Sequence, residues 1–388
     1  MNKVINVFQY DWNIQIHTIN LIQKLSDEGF KVNVFVSNCS EVTNSLEDLI
    51  SPNITINYYL TASTNYFIKK INTITYWILG CHFFIKKVDQ ESISMVLEKI
   101  NTTDINYFIG VEKKGFIWAG KVYDQVGGKL IYYSLELYEK DPEWIEKTEF
   151  KYLRKLEVLY HHKAEATIIQ DPFRATNLFR YNNYPVNKIL YCPVSLKRDN
   201  FNINEGKLSN TNKYVMYFGK IAKHRFVEEI CGITKKRDNK IKIWLHGPCD
   251  STYLEKLNSK FDNPSLKITN NLLEFREIPS LLKDVSIGIC FYRIDNLNER
   301  LTAFSSEKIA LFLLNGIPII VFKNESYDYL FEKFKCGIAI RKIEDLDQAV
   351  NKILLNYETF SNNSKLAFSE FFNFDYNIKE TINFLNED

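Results

Sequence analysis

Residues 304–340 read FSSEKIALFLLNGIPIIVFKNESYDYLFEKFKCGIAI. Ser305 or Ser306 stands where a helix begins, since a side-chain hydroxyl can accept from the exposed N–H groups of a first turn. The helix runs to about Leu314, Gly316 ends it, and Pro318 opens a buried apolar strand over 318–322. The next strand follows at 337–340. Outward from this stretch the same rhythm repeats. Short runs rich in Val, Ile, Tyr and Phe at 214–218, 241–246, 266–269 and 285–292 read as strands of the same half. A first half shows them at 4–10, 31–37, 54–60, 105–111, 129–137, 167–170 and 189–194, with helix-like stretches such as 14–28 between. Alternating strands and helices imply parallel βαβ units, and strands without polar alternation imply a sheet covered on both faces.

Residues 197–213 (KRDNFNINEGKLSNTNK) break the rhythm and read as a linker. The expected organisation is α/β: a Rossmann-like domain over 1–196, a second over 214–362, and a terminal helical stretch over 363–388. In such sheets ligands bind beyond the carboxyl ends of the strands, so two of them predict a site in a cleft that both face.

Composition narrows the function. The 388 residues carry 49 Lys+Arg against 47 Asp+Glu, a net charge of +2, without the basic excess of a nucleic-acid binder. The seven cysteines form no C-x-x-C pair, which fits free thiols in a reducing compartment better than a disulfide framework. MNKVINVFQY runs straight into a strand with no signal-peptide pattern, and no apolar stretch reaches the length of a membrane span. These readings predict a cytoplasmic protein. The aromatic stretch 66–87, interrupted by Lys69, Lys70, Lys86 and Lys87, can lie at a membrane interface or serve as a core-facing helix.

Three clusters carry chemistry. The start of the helix after Ser306 offers N–H groups and a positive dipole end, with Lys308 in its first turn, all favourable to phosphate. A capped surface helix with a solvated lysine is the plain alternative. VMYFGKIAKHRFVEE (215–229) is a buried strand ending at Gly219, followed by Lys220, Lys223, His224 and Arg225. KLIYYSLELY (129–138) ends a core strand with Ser134, Glu136 and Tyr138. A carboxylate there can take a proton from a hydroxyl, which makes Glu136 the candidate catalytic residue. Near strand one, Asp11 and Asn13 can cap the first helix or face the site, and His17 lies one turn in. No H-x-x-x-H or cysteine pair points to a metal, and neither G-x-S-x-G nor a P-loop occurs.

The segment 304–340 resembles the nucleotide-sugar-binding segment of GT-B glycosyltransferases, S-P-x-K-L-x-E-Y-L-A-x-G-x-P-V-I, with Ser306, Lys308, Gly316 and Pro318 in register. The resemblance implies that Ser305, Ser306 and Lys308 meet a donor diphosphate. Residues 215–229 resemble Y-x-G-R-x-x-x-x-K-G, which implies diphosphate cations at Lys220 and Arg225 beside Gly219. IKIWLHGPC (241–249) resembles V-x-G-x-G-P, with Gly247 allowing close backbone approach. YYSLELY, and EVLYHHKAEATII with Gln170 and Asp171, resemble bacterial polysaccharide glycosyltransferases.

One position departs from the pattern. Leu311 stands where many retaining members hold the donor ribose with Glu; galactofuranosyl- and some glucosyltransferases, which the segment resembles more, also lack that Glu, and Glu307 can substitute or simply favour the dipole. The resemblance implies the GT-B fold, a terminal helix crossing back to the first domain, and a nucleotide-sugar donor such as a UDP-sugar as substrate. It also implies a glycan or lipid-linked acceptor met by Asp11, Asn13, His17 and Ser134, and no metal or other cofactor. A nucleotide-sugar 2-epimerase or an inactive GT-B adaptor for a partner transferase are the rival readings.

Overall fold

The structure is a computed structural model that describes residues 3–10, 16–37, 49, 51–59, 83–137, 144–183, 188–197, 214–234, 241–271, 273 and 277–387. The chain divides into two units, residues 1–192 with 378–388, and residues 193–377.

The first unit is built on β1 (Lys3–Gln9), β2 (Lys31–Ser37), β3 (Ile54–Tyr59), β4 (Ile105–Val111), β5 (Lys129–Tyr133), β6 (Ala166–Ile169) and β7 (Lys188–Tyr191). They pair in parallel in the order β3-β2-β1-β4-β5-β6-β7. Its helices are α1 (Ile16–Asp27), α2 (Phe83–Leu97), α3 (Glu112–Val126), α4 (Trp144–His161) and α5 (Pro172–Asn182). Residues 4–9 and 106–111 are buried throughout, as a sheet covered on both faces requires.

The second unit repeats the plan with β8 (Tyr214–Phe218), β9 (Lys242–His246), β10 (Leu266–Thr269), β11 (Val285–Cys290), β12 (Ile319–Phe322) and β13 (Gly337–Ile340), parallel in the order β10-β9-β8-β11-β12-β13. Its helices are α6 (Val227–Ile233), α7 (Ser251–Lys260), α8 (Ile278–Leu282), α9 (Leu297–Arg300), α10 (Glu307–Leu314), α11 (Glu325–Lys333), α12 (Leu346–Leu355), α13 (Tyr357–Ala367) and α14 (Phe374–Asn377). One sheet face packs Val215, Tyr217, Ile243, Leu245, Ile287 and Ile289 into a continuous core with α6, α7 and α12. On the other, Phe312 of α10 lies so close to Gly288 of β11 that a Cβ there would stand 2.5 Å from its ring. Ile309 to Leu314 are all buried.

In each sheet the strand order reverses once, between β1 and β4 and between β8 and β11. Loops leaving the carboxyl ends at such a reversal splay to opposite faces and leave room for a ligand.

Several boundaries differ from the sequence reading. The strand expected over 129–137 stops at Tyr133, because beyond it side chains take over the backbone hydrogen bonds. The strand expected over 285–292 stops at Cys290. From 198 on, the expected linker lies outside the described residues, as do residues 66–82 of the aromatic stretch 66–87. The second unit begins at Pro193 and extends past 363 to Asn377. Its two ends are tied together: Leu196 N–H donates to Phe372 O at 3.0 Å, Phe374 N–H to Leu196 O at 3.2 Å, and the Asn377 amide to Ser195 Oγ at 2.7 Å. The last helix, α15 (Lys379–Asn386), belongs to the first unit. It buries Thr381, Ile382 and Leu385, and Lys3 Nζ donates to the carbonyl oxygens of Leu385 (3.0 Å) and Asn386 (3.2 Å). A cation at a helix carboxyl end is favoured by the dipole.

Candidate functional site

In the second unit, β8 and β9 each run out into a glycine in the left-handed region, Gly219 at φ +137° and Gly247 at φ +142°. The two loops stay laced beyond the strands. Gly219 N–H donates to His246 O at 2.9 Å, Ile221 N–H to Pro248 O at 2.8 Å, and Gly247 N–H to Thr269 O at 3.0 Å. A Cβ on Gly247 would stand 2.2 Å from Gly219 O, so this approach admits only glycine.

Facing this pair is the start of α10. Ser306 is its N-cap residue in extended conformation, as the capping pattern predicts, but its hydroxyl makes no bond to the helix. It lies 2.5 Å from the Tyr292 hydroxyl instead. The first helical bonds run from Ile309 and Ala310 to Ser306 O, so the N–H groups of Glu307 and Lys308 have no acceptor within the helix. Ser305 turns its hydroxyl to Leu301 O at 3.1 Å.

Lys308 reaches from this first turn to the glycine pair, its Nζ 3.4 Å from where a Cβ of Gly219 would be. It rests over the rings of Tyr292 (4.4 Å) and Tyr217 (5.4 Å). Among the described residues no carboxylate lies within ion-pair distance of it. Burial lowers its pKa, and the charge of Arg225 adds to that. A partly desolvated ammonium without a carboxylate partner among the described residues, beside N–H groups that no helical carbonyl takes, is suited to an anion.

The other expected cations are placed differently. Arg225, at the end of a short 3-10 turn over Lys223–Arg225, is already paired with Glu299 of α9, whose Oε2 also accepts from Arg293 N–H at 3.2 Å. Lys220 is exposed, and its carbonyl accepts from the Tyr217 hydroxyl at 3.1 Å. The structure therefore brings Gly219, Gly247, Ser306 and Lys308 together, with Arg225 near but engaged.

Glu307 is half-buried in the same turn, and burial raises its carboxyl from 4.5 to about 7. Because the folded state holds this proton more tightly than the unfolded chain, the associated stability is full below about pH 4.5 and is lost as pH rises through about 7. Glu307→Gln should therefore melt with the wild type at pH 4.5 and above it at pH 8. After solvent screening the gain is roughly 2 kcal/mol. A melting difference independent of pH would refute this placement of the carboxyl.

In the first unit the candidate residues gather where β5 ends. Ser134 N–H donates to Ile168 O at 3.0 Å, the last sheet bond. Beyond it, Glu112 Oε1 accepts from Leu135 N–H at 2.7 Å and from Glu136 N–H at 2.8 Å. The Gln170 amide donates to Ser134 O at 2.7 Å, and the fully buried Arg174 donates to Leu135 O at 2.5 Å. Glu136 itself is half-buried, and its charge is felt by Arg174 together with those of Asp171 and Glu112.

His17 is buried, edge-on to Tyr133 at 6.3 Å, with neither ring nitrogen bonded among the described residues, and burial lowers its pKa to about 4. It is a neutral imidazole at physiological pH. The Ser134 hydroxyl is likewise buried without a partner among the described residues. Asp11 and Asn13 lie outside the described residues. His161, the other first-unit histidine of note, belongs to a buried polar network. It bonds Thr167 and Asn182 at 2.9 Å each, near a Lys113–Glu157 ion pair of 3.2 Å.

Sequence reading missed Tyr217, Tyr292 and Glu299 around the anion site and Glu112, Gln170 and Arg174 around Glu136. Gln170 carried a signal only as part of a longer resemblance, and the others carried none at fixed spacing. Among the described residues no group of three or more His, Cys, Asp or Glu could hold a metal ion. No described helix is long and apolar enough to cross a membrane.

Two parallel Rossmann-like units of this kind make up the fold of the GT-B glycosyltransferases, and solved structures of that class match the whole chain. HepE from Anabaena, solved in complex with UDP, superposes with a TM-score of 0.70 at 11% identity over 100% of both chains. Sucrose-phosphate synthase from Thermosynechococcus elongatus gives 0.69 at 11% identity, covering 100% of this chain and 99% of its own. A glycosyltransferase from Rickettsia africae gives 0.67 at 12% identity, covering 100% and 98%. The chain has the GT-B fold. More particularly, residues 215–382, which take in most of the second unit, are similar to the family "Glucosyltransferase 3-like, C-terminal domain". No curated protein sequence matches the chain.

Proposed function

We propose that this chain is a glycosyltransferase that moves a sugar from a UDP-sugar to a glycan or lipid-linked hydroxyl in the making of a cell-surface polysaccharide or glycoconjugate. One observation carries the reading: Lys308, half-buried and without a carboxylate partner among the described residues, reaches from the open first turn of α10 to the Gly219 loop. The glucosyltransferase 3-like match of this unit and the UDP complexes of HepE support UDP as the nucleotide. Lys308, the N–H groups of Glu307 and Lys308, and the Ser306 hydroxyl would hold the diphosphate. Arg225 would exchange Glu299 for phosphate oxygens, and Lys220 would approach from its exposed loop.

The reaction breaks the bond between the anomeric carbon and the phosphate oxygen, which keeps the electron pair. Fixed cations lower the barrier by stabilising that developing charge, work that needs no metal ion. The acceptor oxygen bonds to the anomeric carbon and gives up its proton, for which Glu136 on the first unit is the candidate base.

Thermal-shift titration with UDP-glucose, UDP-galactose, UDP-N-acetylglucosamine and GDP-mannose tests the donor, since a ligand of the native state raises the melting temperature. A shift with UDP-sugars is expected, and none with any of the four would reject the reading. Lys220→Ala and Arg225→Ala should each slow UDP release from the donor more than about tenfold, because each contact is worth over ~1.4 kcal/mol in the transition state. Near-normal turnover in both would remove them from the site.

A further inference from the structure

Residues 134–136 leave the first sheet along a path that neighbouring side chains hold from two sides. The Ser134 amide uses the sheet, and both amides that follow go to one carboxylate oxygen of Glu112. The carbonyls of Ser134 and Leu135 go to Gln170 and Arg174. Glu112 lies at the start of α3, Gln170 just after β6 and Arg174 in α5. Three elements thus converge on three residues, among which Glu136 supplies the one titratable side chain.

Glu112 also occupies a costly backbone conformation, φ +60°, which residues with a Cβ avoid. From that backbone its carboxylate reaches the amides beyond β5. An ionised acceptor makes shorter and stronger bonds than a neutral one, and the distances of 2.7 and 2.8 Å agree. The buried charge of Arg174 on the far side is matched by Asp171, Glu136 and Glu112, so the arm sits between opposite charges.

We propose that Glu112 is a positioning residue: by gripping the amides of Leu135 and Glu136 it sets the direction in which the Glu136 carboxylate leaves the first sheet. The inference rests on the reading of Glu136 as the acceptor-side base. Glu112 touches no substrate; it acts by keeping Glu136 in one orientation, and misplacement of a catalytic group by about 1 Å can cost on the order of a hundredfold.

Hydrogen–deuterium exchange on the full chain tests the grip, and UDP release from UDP-glucose with water as acceptor tests its consequence. In Glu112→Ala the amides of Leu135 and Glu136 should lose protection while those of Ile131 to Tyr133 keep it. Turnover should fall at least about tenfold with UDP affinity within about twofold of wild type. Glu112→Gln keeps an oxygen acceptor and should restore both most of the protection and most of the rate. In a Glu136→Gln background, Glu112→Ala should add less than about a twofold loss, as expected of two residues acting through one group.

Protection lost across the whole sheet, protection lost locally without a change in rate, or fully multiplicative losses in the double variant would each overturn the proposal. A Glu136→Gln variant at wild-type rate would instead strike down the acceptor-side reading of Glu136. The local protection of Leu135 and Glu136 would then decide by itself whether Glu112 holds the arm.

Discussion

Replacing Lys308 by methionine is expected to weaken UDP-glucose binding by about 10- to 100-fold and at the same time to raise the melting temperature. Both effects have one cause. The half-buried Lys308 lays its ammonium over Tyr292 and Tyr217 with no carboxylate partner among the described residues, and partial desolvation disfavours its charged form. Keeping a charge there costs the unliganded protein free energy that only an incoming anion returns. A hydrogen bond to a charged group is worth about 1.5–3 kcal/mol, which sets the loss in affinity. Methionine fills the same channel without a charge, and relief of about 1 kcal/mol would raise the melting temperature by roughly 2–4 °C in a unit of this size. Calorimetric titration with UDP-glucose and a thermal melt check the two halves. Unchanged affinity would mean that the diphosphate goes elsewhere, and a lowered melting temperature would mean that Lys308 holds the fold.

Gly247→Ala should be the most damaging single methyl group in the second unit. Its Cβ would enter to 2.2 Å from Gly219 O, backbone against backbone, at a φ of +142° that alanine rarely adopts. Steric overpacking and backbone strain each cost on the order of 1–3 kcal/mol, so together they exceed most single substitutions. The loop carrying Gly219 must move, and Lys308, which rests against it, loses its setting. We expect a melting temperature lower by roughly 5–15 °C and no measurable UDP-glucose binding. Gly232→Ala is the control, since a Cβ there meets nothing within 4 Å. Equal melting of the Gly247→Ala variant and wild type would show that the β8 and β9 loops do not pack as described.

The strands were legible because a buried parallel strand must be apolar on both faces, and runs such as 105–111 and 285–290 have little else they can be. The start of α10 was legible because Ser306, Lys308, Gly316 and Pro318 act within one turn or one connection. What stayed hidden depends on partners distant in the chain. Arg225 reads as a free cation until Glu299 is seen beside it. Ser306 reads as a capping hydroxyl until Tyr292 takes it. His17, one turn into α1, could be read as a packing or an acceptor-side residue, and its enclosure against Tyr133 is visible only in the fold. Glu112 gives no local hint, since a positive φ at glutamate is imposed by its surroundings.

The path of the chain bears on its biosynthesis. Residues 193–377 are continuous, whereas the first unit is split and the start of its inner strand β1 is fastened by Lys3 to the carbonyls of Leu385 and Asn386. The later-made body can therefore mature while the earlier-made one still lacks its closing helix. That inverts the usual vectorial order, and a nascent chain stalled before 378 would display an unfinished amino-terminal half for chaperones to shield.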